Sequence, residues 1–148
     1  MNMAKRIRKS KKKRSTNYRT PPRPSTWDLP RGNCRYCGKP IIENGIQNNR
    51  KRWCSPKCIK EWKLINQFSE ARKAVFIRDH GRCQGDGCNF TSLTLKDFQV
   101  DHRKPLFEAN GNLDYWRLPN LQLLCKPCHR KKTLEDMKKF RMSKGLNH

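Results

Sequence analysis

Eight cysteines fall in four close pairs, Cys34/Cys37, Cys54/Cys58, Cys83/Cys88 and Cys125/Cys128, and none is left over. No other feature constrains the fold as tightly. Hydrophobic residues make up 34% of the 148-residue chain and charged residues 32%, so a large apolar core is not available. Small modules with thin cores need staples. Pairs with two to four residues between them are poor disulfide partners but natural zinc knuckles. A disulfide framework is the alternative that any cysteine-rich short chain raises. The start, MNMAKRIRKSKKKR, argues against it because it cannot serve as the apolar part of a signal peptide. The basic composition argues the same way. Paired in sequence order, the cysteines predict two structural zinc ions, one on Cys34, Cys37, Cys54 and Cys58 and one on Cys83, Cys88, Cys125 and Cys128. Interleaved pairing is the other arrangement. Four thiolates close the coordination sphere of zinc, so such sites are structural rather than catalytic.

The net charge of +23 comes from 35 Lys and Arg against 12 Asp and Glu. Self-repulsion on that scale points to a strongly anionic partner. Nucleic acid is the expected one, bound with steep salt dependence. A membrane surface is not expected: there is no basic amphipathic helix with a broad apolar face, no lipidation signal and no run of spanning length. The expected location is intracellular, cytoplasmic in a bacterial or phage setting and nuclear in a eukaryotic one, where KKKR would act as a signal.

The chain divides into a disordered basic tail (1–30), a first four-cysteine zinc module (31–66) and a second module (67–148). Residues 1–26 carry ten Lys or Arg and no acid, with Pro21, Pro22 and Pro24. Such a segment cannot bury apolar surface. It serves either as a solubilising tail or as a non-specific phosphate-binding arm. In the first module, Gly38 follows a knuckle and Asn44-Gly45 is a turn between two extended pieces. Ser55 before Pro56 reads as a helix N-cap. Knuckle, hairpin, then helix outlines a treble-clef-like module. Helical spacing continues over 56–79 through Ile59, Trp62 and Ile65, then Ala71, Ala74, Val75 and Arg78. A break near Asn66 to Ser69 is expected, with Ser69 capping a second helix that Gly81 stops.

In the second module, Phe98 and Val100 alternate into Asp101-His102, LQLLC reads as a buried strand, and a basic helix opens at Cys128-His129 and runs to about Met142. The second cysteine set brackets the intervening loop and gathers Asp101, His102 and His129. An Asp-His pair alone is usually surface, and His129 alone is an ordinary helix residue or a replacement zinc ligand. The ordered set is what carries the signal. Asp101 is a hard oxygen donor, and His129, unneeded by zinc, is an imidazole donor. Two protein ligands leave positions for water and phosphate oxygens, as metal-assisted hydrolysis requires. His102, with an ordinary pKa of about 6.5, is suited to act as general base. Asn120 can brace the loop by bonding opposing backbone groups.

The segment from about Arg78 to Thr133, through FIRDHGRC, Cys88, VDHRKP, LPNLQLLC and CKPCHRKK, resembles the HNH endonuclease family, the ββα-metal nucleases. The resemblance implies a small zinc-stabilised α+β fold with a ββα-metal core. It also implies cleavage of duplex DNA, with His102 activating water, Asp101 and His129 holding one divalent cation and Asn120 stabilising the loop. The remaining implications are backbone and minor-groove contacts, no small-molecule substrate, and a monomer or weak dimer. A single active site per chain points to nicking unless the protein dimerises. Asp101 stands where His is more familiar, which shifts the metal toward magnesium or manganese, with zinc or nickel as alternatives. The loop RKPLFEANGN lacks the usual double glycine. Small proteins of this shape also resemble nucleases encoded by bacteriophages. The rival readings are a non-catalytic dual zinc-finger nucleic-acid-binding protein, which leaves the Asp101, His102, Asn120 and His129 set unexplained, and an RNA-associated basic zinc protein.

Overall fold

A computed structural model describes residues 19–145. Most of the expected tail, residues 1–18, lies outside the described residues. Within the remainder of it, Ser25–Asp28 form a short 3-10 turn. That turn is held because the Thr26 hydroxyl donates to the Arg35 carbonyl at 2.6 Å, and the Arg35 guanidinium lies over the Trp27 ring.

The first zinc module opens on a hairpin, β1 (Ile42–Glu43) paired antiparallel with β2 (Ile46–Gln47). Its turn is Asn44-Gly45, with φ of +50° and +77°. Two left-handed residues match the twist of a tight hairpin, which is why Asn-Gly is favoured there. Helix α1 (Pro56–Asn66) then starts as its sequence predicts. The Ser55 hydroxyl accepts from the Cys58 N–H at 3.3 Å, and Pro56 occupies the first turn, where its missing N–H costs nothing. The cap places Cys54 and Cys58 on either side of the helix start.

Helix α2 (Phe68–Arg78) follows after a single residue, Gln67. Its N–H donates to the Lys63 carbonyl, closing α1, and its carbonyl accepts from Glu70 and Ala71, opening α2. The expected Ser69 cap is therefore not used; Ser69 already lies inside the helix, and the Gln67 backbone does the work of both ends. Ala71 and Val75 on α2 bury in one cluster with Phe98, Leu121 and Leu123. Gly81 ends the helical segment with φ of +61°, its N–H bonding the Phe76 carbonyl. A Cβ there would stand against the Ser92 carbonyl oxygen. Gly81→Ala is expected to lose at least about 1–3 kcal/mol through strain and clash. A thermal melt with zinc retained checks this, and an unchanged midpoint would show that the turn relaxes.

The second module is strand, loop, strand, helix. Strand β3 (Phe98–His102) pairs antiparallel with β4 (Leu121–Cys125), in the register Phe98 to Cys125, Val100 to Leu123, Asp101 to Gln122 and His102 to Leu121. Phe98, Val100, Leu121 and Leu123 face the core with Val75 of α2. All of β4 is buried, including Gln122, because α2 covers one face and α3 the other. That double burial explains why LQLLC is apolar at every position but Gln122 rather than alternating. Helix α3 (Lys126–Ser143) starts directly after Cys125, slightly earlier than expected. None of its residues is fully buried. Its half-buried stripe runs Cys128, His129, Lys132, Asp136 and Phe140, so the face toward the sheet is largely polar. A helix that packs only for stability would place apolar side chains there.

Candidate active site

Strand β3 delivers Asp101 and His102 to its open end, and both line one cleft of about 720 Å³. Neighbours in a regular strand point to opposite faces. Here the ladder is ending, and both side chains reach the cleft. The opposite wall comes from α3 through Thr133, Asp136, Met137 and Phe140, and the floor from Leu106, Phe107 and Trp116.

Asn120 fixes the backbone just beyond His102. Its Oδ1 accepts from the Lys104 N–H at 2.9 Å. Its Nδ2 donates to the Lys104 carbonyl at 3.1 Å and to the Tyr115 carbonyl at 2.9 Å. The Asn120 carbonyl accepts from the Arg103 N–H at 2.6 Å. Behind it, Arg78 donates to the carbonyls of Leu118 and Leu121 at 2.6 and 2.7 Å, and Asp79 both pairs with Arg78 and accepts from the Leu123 N–H. Arg78 is thus a clamp that ties α2 to both ends of the segment carrying Asn120, not one more position of a helical stripe.

His129 is half-buried near the start of α3, and its carbonyl accepts from the Thr133 hydroxyl at 2.9 Å. Asp101 meets α3 one turn further on. Its Oδ2 is 3.1 Å from the Lys132 ammonium, and the two side chains are 21% and 16% exposed. Lys132 also bonds Asp136. Sequence patterning alone does not single out Lys132 and Asp136, although both follow His129 at helical spacing and so share its face.

Burial holds the His102 imidazole below its ordinary pKa. The Asp101 carboxylate pulls it back up, and the Lys132 ammonium pushes it further down. With the net shift downward, the ring is neutral at neutral pH and able to accept a proton.

Both cysteine sets converge as sequence-order pairing predicts. Within each, the sulfur atoms lie within 4.8 Å of one another. Burial pushes the Cys34 thiol up, but the amides of Cys37, Cys54 and Tyr36 outweigh it and bring it down to about 6. Burial and neighbouring thiols push Cys54 up to about 12. Cys128 is also pushed up to about 12, first by Cys125 and then by burial. Thiols packed this closely shed their protons when a cation neutralises them. Each cluster can hold a zinc ion.

A cysteine-braced strand pair followed at once by a helix defines a ββα unit whose cysteine cluster can hold zinc. The model of the HNH endonuclease family matches residues 83–135, which contain Asp101, His102, Asn120 and His129. A "Probable HNH endonuclease" of Lactococcus phage SK1 is 35% identical over 92 residues, covering 60% of this chain and 81% of that protein. The chain belongs to the HNH endonuclease family. It is also similar to the "DNA annealing helicase and endonuclease ZRANB3" of Mus musculus, 27% identical over 124 residues and 59% of this chain. The Homo sapiens protein of that name is 28% identical over 148 residues and 71% of this chain. The chain spans only 11% and 13% of the length of these two relatives. No solved structure matches the chain significantly. Among the described residues no helix is long and apolar enough to cross a membrane.

Proposed function

We propose that the chain is a metal-dependent endonuclease that hydrolyses phosphodiester bonds of duplex DNA, with His102 as general base and one divalent cation held by Asp101 and His129. The observation that carries this reading is the arrival of Asp101 and His102 in one cleft that α3 lines through Thr133, Asp136, Met137 and Phe140. His129 and Lys132 lie on the half-buried polar stripe of the same helix, outside the cleft lining, and Lys132 reaches Asp101 from there. The donor set fits a divalent ion: Asp101 already holds a cationic group, the Lys132 ammonium, and His129 lies one turn away on the same stripe. A carboxylate favours magnesium or manganese, and an imidazole admits zinc or nickel. When bound, the ion supplies positive charge for the scissile phosphate and the leaving oxygen.

The protein's own residues do the rest. Neutral His102 takes a proton from the attacking water. Asn120 holds Lys104 by both backbone groups, so the loop after His102 keeps its place while substrate enters. Lys and Arg of the tail and α3 hold the backbone, with the start of α3 seated against the minor groove. One site per chain makes a nick. The tail (1–30) and first zinc module (31–66) are accessory to a nuclease domain (67–148).

The test is conversion of supercoiled plasmid to nicked circles with magnesium, manganese or no added metal, after two zinc ions per chain are verified. Nicking that needs added metal is expected. No cleavage with tight DNA binding intact would shift the assignment to the non-catalytic dual zinc-finger reading.

Lys132 gives this reading a check that does not depend on turnover. Its ammonium competes with a metal for Asp101, with Asp136 ready to hold it when displaced. Lys132→Met is expected to tighten manganese binding by roughly tenfold, the size of a partly screened charge interaction. Titration followed by electron paramagnetic resonance, without DNA, reads this directly. Weaker binding would mean that Lys132 instead positions Asp101.

A further inference from the structure

Apart from the active-site cleft, the first zinc module carries a cup of about 390 Å³ between the 3-10 turn and the segment after β2. Arg31, Arg35, Arg50, Lys51 and Arg52 line it, and no acidic side chain does. Lys51 is matched by Glu43 from outside the cup. The Arg35 guanidinium lies 5.2 Å above the Trp27 ring. The Trp27 indole N–H is buried without an acceptor.

The cup is built rather than a chance cluster of solvated charges. Asn48 Oδ1 accepts from the N–H groups of Arg50 and Lys51 at 2.9 and 3.3 Å, which fixes the loop that presents them. The Arg35 N–H donates to the Arg52 carbonyl at 2.9 Å, and the Arg35 carbonyl takes the Thr26 hydroxyl, joining both rims. Concentrated guanidinium groups suit the oxygens of a phosphodiester. The module is also fixed to the rest of the chain. Arg117 donates to the Tyr36 hydroxyl at 3.1 Å, and Tyr36 packs with Ile65 and Trp116, which also line the active-site cleft.

We propose that this cup binds the DNA backbone at a phosphate remote from the one being cut, so that the zinc module grips the same duplex the cleft acts on. The proposal rests on the nuclease reading for the identity of the polyanion. Its consequence is that affinity, not the chemical step, depends on the cup.

The experiment compares wild type, R31Q/R50Q/R52Q and a control, K57Q/K60Q/K63Q, whose lysines lie on α1. Zinc content is verified for each. Binding of a fluorescent duplex is followed by anisotropy across salt concentrations without divalent metal, and plasmid nicking is followed at saturating DNA. The arginine variant is expected to bind at least about tenfold more weakly. It should also lower the slope of log affinity against log salt by up to about 2.7, at roughly 0.9 for each phosphate no longer neutralised. Its nicking rate at saturation is expected to match wild type. Equal slopes for the arginine and lysine variants would overturn the proposal, leaving the cup as solvated surface. Displacement of the wild-type duplex by low-millimolar inorganic phosphate would overturn it in favour of a small-anion site. Because binding is read without metal, a wild type that fails to nick would undo the nuclease reading and leave the cup still measurable.

Discussion

His102→Ala is expected to lose about 10²–10⁴ of the plasmid-nicking rate, the usual contribution of a positioned general base. It should keep both zinc ions and an unchanged melting temperature. The expectation is this specific because His102 stands at the end of β3, where its ring lines a cleft instead of filling the Phe98 and Leu123 core. Truncation there opens space already in contact with solvent, so no buried cavity cost follows. The loop beyond it keeps its own anchor through Asn120. The loss should therefore appear in turnover and not in DNA affinity. Asp101→Asn is the informative contrast, since it should raise the metal concentration needed for activity. A His102→Ala protein that nicks at the wild-type rate would remove His102 from the mechanism, and metal dependence would then have to be explained through the α3 stripe alone.

The parts of this molecule legible in the sequence are those where local chemistry leaves one solution. Asn44-Gly45 needs left-handed backbone, Ser55-Pro56 caps a helix, and LQLLC suits a buried strand; all three lie where their residue types require. The cysteine pairs converge in sequence order for the same reason, since each knuckle is short. Features that depend on partners distant in sequence are not legible in it. Arg78 has no local signature that distinguishes a clamp on Leu118 and Leu121 from a helical surface residue. Gln67 joins two helices through its backbone, which no side-chain pattern announces. Thr26 and Trp27 belong to a proline-rich, basic stretch that composition assigns to the tail, yet Arg35 supplies their partners. Lys132 and Asp136 stand between the two cases: helical spacing puts them on the face of His129, but only the fold shows that Lys132 reaches Asp101.

Cys125→Ser should abolish the folded nuclease unit rather than weaken it. The zinc site it belongs to is the junction of every element that positions the cleft. Cys125 ends β4, its N–H donates to Cys83 Sγ at 3.2 Å, and the next residue begins α3. The Gln84 N–H bonds the Leu123 carbonyl at 2.7 Å, and the Gly85 N–H bonds Cys83 Sγ at 3.4 Å, so the knuckle itself lies against β4. Structural zinc in such small modules binds with about 10–16 kcal/mol. That is comparable to the whole stability of an ordinary domain, about 5–15 kcal/mol. The main apolar cluster of the unit, around Phe98, Leu121, Leu123 and Val75, is small and cannot make up the difference. Circular dichroism of Cys125→Ser should therefore show a loss of helix, with one zinc ion per chain and no metal-dependent nicking. Cys37→Ser, at the other cluster, separates two possibilities. If it also melts α3, the Tyr36–Arg117 hydrogen bond and the packing of Trp116 make both modules one cooperative unit. If α3 and nicking survive while duplex affinity falls, the nuclease unit stands on its own zinc and the first module serves as its grip.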